Sequence, residues 1–277
     1  MISAVDPHSI ANEVKLSRSR KKDASALLVE GPTDARLLRN YVNERRCDVV
    51  PTLGRKNALD ALRLLRTSNE PGVLVILDSD FAQISGTQIA DPDVVSTDLH
   101  DIEAMMLSSP AVVKLLIEYD LRADEFGPDL GLLLAKTVVP LGYLRFISNR
   151  DRLWIKFSDI DFRAFVKTGM PPSIDEQRLI AEVLTKNPRC RLNAVAIRQR
   201  LHRVRNTAHS PWHLGCGHDM TSLLALLLSN KTARLIPPPT VERQLRLAYG
   251  RKHFEATAFF GRIRAWEKRN QPYVVLA

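Results

Sequence analysis

The sequence predicts an α/β fold: a parallel sheet with helices on both faces, followed by a mostly helical, basic region. Three observations predict it. Short apolar runs alternate with helical spacing between residues 26 and 77, in the order β-α-β-α-β with brief connections. Val73-Leu74-Val75-Ile76-Leu77 is apolar without interruption, as in parallel strands buried on both faces. Charge is also uneven along the chain. Residues 1–110 carry 13 Lys and Arg against 16 Asp and Glu, whereas residues 111–277 carry 27 against 15.

Taken in order, residues 1–25 hold the basic cluster Arg18, Arg20, Lys21 and Lys22 with no clear apolar period, and are expected to be an arm. Ala26–Val29 reads as a buried strand ending at Glu30-Gly31-Pro32. Thr33 or Asp34 can cap the next helix, in which Leu37, Leu38, Tyr41 and Val42 keep helical spacing. Cys47–Leu53 is a second strand, and Gly54-Arg55-Lys56-Asn57 turns the chain into a helix through Leu59, Leu62 and Leu65. The third strand, Val73–Leu77, runs into Asp78-Ser79-Asp80, and a fourth is expected at Val94–Ser96. The parallel-sheet domain is therefore placed at 26–110.

From 111 to 277 helical patterning dominates, at Ala111–Tyr119, Leu130–Ser148, Ile174–Leu184, Ala194–Arg205, Thr221–Leu228 and Val241–Lys268. With 45% hydrophobic and 26% charged residues the chain reads as globular rather than disordered. No apolar run reaches the length of a membrane span, and no basic head precedes an apolar stretch. Cys47, Cys190 and Cys216 are too few for a disulfide framework. These features predict a cytoplasmic protein without membrane contact. A net charge of +9, concentrated in the back half, fits a polyanion partner such as nucleic acid.

Doubly wound sheets bind ligands at the carboxyl ends of their strands. Glu30 ends the first strand and Asp78 the third, so two acids arrive independently at that edge. Asp78 and Asp80, at i and i+2, lie on one side of an extended segment. Hard oxygens so spaced suit Mg²⁺, or Mn²⁺, which a phosphodiester needs for charge neutralisation and nucleophile activation. Glu30 serves as a further ligand or as general base. A lone Asp-x-Asp would more simply cap a helix; the matching Glu30 is what favours a metal site.

Leu27-Leu28-Val29-Glu30-Gly31-Pro32-Thr33-Asp34 resembles the first motif of Toprim domains, and Leu74–Asp80 resembles their Asp-x-Asp motif. Thr97-Asp98-Leu99-His100-Asp101-Ile102-Glu103 looks like a narrower family, the Toprim nucleases encoded beside ABC-type ATPases in bacterial defence, such as the nuclease subunits of PARIS anti-phage systems. Gly142–Arg145, Trp154–Phe157 and Gly217–Met220 resemble further motifs of that family. The resemblance implies a metal-dependent endonuclease with Glu30, Asp78 and Asp80 in the central roles and Glu103 as an added ligand. It also implies a toxic effector restrained by an ABC-type ATPase, cleaving host tRNA when released, and dimeric in that state. Ala82 stands where many Toprim enzymes place a third acid, which disfavours topoisomerase or primase chemistry. The alternatives are an interaction subunit that regulates an ATPase and a DNA-cleaving nuclease.

Arg55 and Lys56, at a helix start beside the second strand end, are candidates to hold substrate phosphate, or simply solvated turn residues. Arg198, Arg200, Arg203 and Arg205 belong to an acid-free stretch and are candidates for a nucleic-acid or partner surface. His209, His213, Cys216 and His218 lack the spacing of a common zinc site. Lys136 and Lys156 are candidate charge stabilisers and His100 a candidate proton shuttle.

Overall fold

The computed structural model describes residues 6–207 and 209–277 and divides into two compact units. The first comprises the described residues through Ser79, with Gln88–Asp98 and Arg251–Ala277. The second comprises Asp80–Thr87 and Leu99–Gly250.

In the first unit, helix α1 (Pro7–Arg20) precedes strand β1 (Ser25–Val29), helix α2 (Pro32–Leu38), strand β2 (Cys47–Pro51), helix α3 (Arg55–Thr67), and strands β3 (Val73–Leu77) and β4 (Val94–Ser96). All strand pairs are parallel, in the order β2-β1-β3-β4. The alternation of a pleated strand sends Leu28 of β1 and Val73, Val75 and Leu77 of β3 to one face. There they pack with Ile10, Ala11 and Val14 of α1 and Ala58, Ala61, Leu62 and Leu65 of α3. Leu27, Val29, Leu74 and Ile76 alternate to the opposite face and are buried too. Burial on both faces is why Ala26–Val29 of β1 and all of β3 are apolar, as expected of a parallel sheet.

Two differences from the sequence reading stand out in this unit. The expected arm is largely helix, capped by Asp6, whose side chain accepts from the His8 and Ser9 backbone N–H groups. Only three of its residues are buried, Ile10, Ala11 and Val14, too few to give a clear periodic signal. Residues 1–5 of that expected arm lie outside the described residues. The chain also returns to the first unit at its end, so the boundary expected at 110/111 is replaced by a discontinuous one. Phe254 stacks on Tyr41 with ring centroids 4.3 Å apart, and Trp266 donates to Asp93 at 2.9 Å. Buried Glu267 accepts from the backbone of Val275 and Leu276, both at 2.7 Å. Gly72 adopts φ +66°, and a Cβ there would meet the Tyr273 ring at 2.2 Å, so only glycine fits before β3.

The second unit is built mostly of helices, with a two-stranded antiparallel ribbon of Val166–Lys167 and Ser173–Ile174. Helix Gly217–Thr232 packs against Ile102–Leu107, Leu130–Thr137 and Pro238–Ala248, burying Met220, Leu223, Leu224, Leu227 and Leu228. Gly217 permits a close approach: a Cβ would lie 2.3 Å from the Asp101 carboxylate and 2.4 Å from the Glu103 Cβ. The stretch expected as one helix at Leu130–Ser148 is two, Leu130–Thr137 and Val139–Arg150, with Pro140 in the first turn of the second. The long helix expected at Val241–Lys268 is broken into Pro238–Ala248, Arg251–Glu255 and Ala258–Arg269, the last capped by Thr257. Within Ala123–Arg150 an 18-residue window has a mean hydropathy of 1.5, so by length and composition alone the stretch passes as a membrane span. Of that apolar window 67% is buried within the protein, so packing accounts for its composition.

Candidate functional site

The strand order reverses at β1: β2 lies on one side of it and β3 on the other. Crevices outside the carboxyl ends of strands at such a reversal are where open α/β sheets bind ligands. Glu30 follows the last residue of β1 and Asp78 the last residue of β3, the two strands flanking that point. The Glu30 carboxylate accepts the Asp78 backbone N–H at 3.0 Å, which turns it towards the neighbouring strand end. Arg55, the first residue of α3, reaches the same edge: its guanidinium lies 3.4 Å from Glu30 and donates to the Asp78 carbonyl. Thr52, fully buried, fixes this corner by donating to the Val29 carbonyl at 2.9 Å. Ser79 is 2% exposed; its N–H donates to the Thr97 hydroxyl at 2.9 Å and its hydroxyl to the Thr97 carbonyl at 2.5 Å. The segment after β3 is thereby held from its middle residue.

Lys56 is not brought to this edge. It extends into solvent and pairs with Asp60 at 2.6 Å, one helical turn on. Asp34 is a helix-start acid as its position suggests, accepting the Gly31 N–H at 2.7 Å.

Asp80 begins the second unit, at φ +44°, with its N–H donating to the His100 carbonyl at 2.8 Å. His100 is buried, with Nε2 3.9 Å from Asp80 and Nδ1 3.1 Å from the His213 carbonyl. Phe81 packs edge-on against its ring. This setting positions the imidazole as part of the unit's interior.

Glu103 is 2% exposed and shares its surroundings with His218, Glu242 and Arg246. A ligand atom of Glu103, His218 and Glu242 each falls within 4.8 Å of the other two, and Arg246 Nη1 lies 4.0 Å from Glu103. Two carboxylates here face an imidazole and a guanidinium. The hydrogen bond to Glu242, 2.7 Å long, pushes the His218 pKa up to about 10, with the negative field of Glu103 and Asp101 adding to it against the cost of burial. Burial works to raise the Glu242 pKa, but the hydrogen bond from His218, the positive charges of His218 and Arg246 and the hydrogen bond from Thr221 together leave it lowered. With His218 charged, the four groups balance. A sign follows for stability. A raised histidine pKa stabilises fully below the ordinary value of about 6.5, and the contribution is lost as pH rises through about 10. In EDTA, the wild-type urea midpoint is expected to fall between pH 6 and pH 9.5 by more than that of His218→Gln. Equal falls in the two proteins would show that the pair contributes nothing.

No protein-family model matches the chain, and no curated protein matches it.

The zinc reading finds no support in the placement of its four residues. His218 is taken by Glu242, and His209 lies against the rings of Tyr143 and Phe146. Burial pushes the Cys216 thiol well above its ordinary pKa. Cys216 does lie near His100 and Asp101, but the Asp101 carboxylate accepts the Ala104 and Gly217 N–H groups at 2.8 and 2.7 Å, joining two helix starts. The arginine group divides. Arg200 pairs with Asp151 at 3.3 Å, and Arg205 pairs with Glu176 and lies over the Tyr143 ring. Arg198 and Arg203 are exposed.

Glu242 and Arg246 escaped the sequence reading. Their i, i+4 spacing marks a common helix face but gives no hint of Glu103 and His218. The motif residues Arg145 and Asp219 meet in a two-pronged ion pair, Nε to Oδ2 at 2.6 Å and Nη2 to Oδ1 at 2.7 Å. Arg145 also lies over the Phe157 ring, 4.6 Å from its centroid. Asp219 thus acts as a buried ion-pair partner.

Proposed function

We propose that this chain is a divalent-metal-dependent phosphodiesterase of the Toprim type, acting as an endonuclease. One observation supports the reading above the rest: Glu30 and Asp78 stand at the carboxyl ends of adjacent parallel strands, at the reversal of strand order. Their oxygens are the hard donors that Mg²⁺ and Mn²⁺ prefer, so the residues present fit such an ion. When bound, the metal supplies neutralisation of phosphate charge and a water nucleophile of lowered pKa. Glu30, oriented by the Asp78 N–H, holds negative charge at that edge. Arg55 offers a forked donor of the kind that grips phosphate oxygens in pairs. Asp80 enters the reading through its i, i+2 spacing from Asp78 and Glu103 through the resemblance, and Asp80→Asn and Glu103→Gln test each role separately.

The resemblance also supplies the setting we propose: a cytoplasmic toxic effector of anti-phage defence, released from an ABC-type ATPase and cutting host tRNA. The test is direct. Purified protein is incubated with tRNA, single-stranded RNA and DNA in Mg²⁺, in Mn²⁺ and in EDTA. Cleavage should require the metal, stop in EDTA and return with excess Mg²⁺. Cleavage that persists in EDTA, or no cleavage of any substrate with either metal, would overturn the reading.

A further inference from the structure

The second unit contains a cavity of about 700 Å³ between the segment Arg152–Lys156 and the segment Lys186–Leu192. Its charged lining is cationic throughout: Arg152, Lys156, Lys186, Arg189 and Arg191, with no acid among the lining residues. Lys186 shares its charge with Glu182 at 3.9 Å; no ion pair engages the other four among the described residues. On its rim stands Trp154, 85% exposed. An indole left in water forgoes the burial that its large apolar surface would otherwise gain in a core.

The rim is held in this exposed form. Arg152 and Trp154 both adopt the left-handed region, at φ +51° and +55°, which residues with a Cβ rarely enter. On one side Ser148 accepts the Leu153 N–H on its carbonyl and the Ile155 N–H on its hydroxyl. On the other, the Asn187 side chain accepts the Lys156 N–H and donates to the Lys156 carbonyl, both at 2.8 Å, while also donating to Val183. Backbone outliers fixed by surrounding hydrogen bonds gather at functional sites, where they aim a side chain.

We propose that this cavity binds an unpaired nucleotide of a single-stranded nucleic acid, with the base stacked on Trp154 and flanking phosphates held by Arg152, Lys156, Arg189 and Arg191. The inference rests on the nucleic-acid substrate proposed above and adds to it the recognition of an unpaired strand. A bare aromatic face amid cations, with no acid, is the arrangement that captures single strands irrespective of sequence. A duplex cannot use it, because its bases are already stacked on one another.

Binding is measured by anisotropy in EDTA, with a labelled single-stranded 12-nucleotide RNA and the same sequence as a duplex. Trp154→Ala should weaken single-strand binding about tenfold or more, and Trp154→Phe much less, since a phenyl ring still stacks. Duplex binding should be nearly unchanged. Removing Arg189 and Arg191 together should lower the slope of log affinity against log salt by roughly 1.4 for the single strand. Trp154 is exposed, so the alanine variant loses no core packing. The proposal is overturned if Trp154→Ala changes neither affinity or lowers both equally, or if polyglutamate competes as well as RNA and depends equally on Trp154. Because no cleavage is read, binding through Trp154 without nuclease activity would sink only the catalytic reading. Cleavage with binding indifferent to Trp154 would sink only this one.

Discussion

Glu30→Gln is expected to reduce metal-dependent cleavage by about 100-fold or more while leaving the fold intact. Glutamine keeps the shape of glutamate and an oxygen that can accept the Asp78 N–H, now 3.0 Å from the carboxylate. The strand-end geometry should therefore survive. What disappears is the negative charge, on which a hard cation depends. Loss of one group that stabilises transition-state charge typically costs about 100- to 1,000-fold in rate. The change also removes the negative charge 3.4 Å from Arg55, a candidate phosphate-binding group, so substrate affinity need not fall with the rate. The measurement is single-turnover cleavage at saturating Mg²⁺, with thermal melting as the control. A variant that melts like wild type and cleaves at the wild-type rate would remove Glu30 from the chemistry.

The second large effect concerns stability. Asp219→Ala should destabilise the second unit by about 3–5 kcal/mol, the range for breaking a buried ion pair by removing one partner. Asp219 is 3% exposed and both its oxygens accept from Arg145. Burial works against the Arg145 charge, and the Asp219 carboxylate is the strongest of the neighbours that together hold its pKa up. Deleting the carboxylate takes its two-pronged partner from a half-buried guanidinium that lies over the Phe157 ring. Pairing Asp219→Ala with Arg145→Met should recover part of the loss, because the charge is removed with its partner and replaced by a similar apolar volume. Urea unfolding of both single variants and the double variant reads this out as a double-mutant cycle. Additive losses would show that the two residues do not act as a pair.

Much of the first unit was legible along the chain. Continuous apolar strands, helical spacing and glycine turns are short-range signals, and they located β1, β3 and β4 with the acids that follow them. Helix α1 leaves little trace in the sequence because it buries only three side chains, so its periodicity is faint. The breaks inside the helical region were missed for a related reason. Leu130–Arg150 is apolar through both helices, and the interruption at Val138 shows only weakly, through Pro140.

Local pattern alone therefore determined an α/β sheet with Glu30 and Asp78 at its strand ends, and a basic, mostly helical remainder. Tertiary structure decided the partners. It paired Arg145 with Asp219, 74 residues apart, and set Glu103 among His218, Glu242 and Arg246. It returned residues 251–277 to the first unit and left Trp154 bare above a cationic cavity. The division has a physical cause. Periodicity and turn chemistry act between residues a few positions apart, whereas an ion pair or a cavity depends on which distant surfaces pack together.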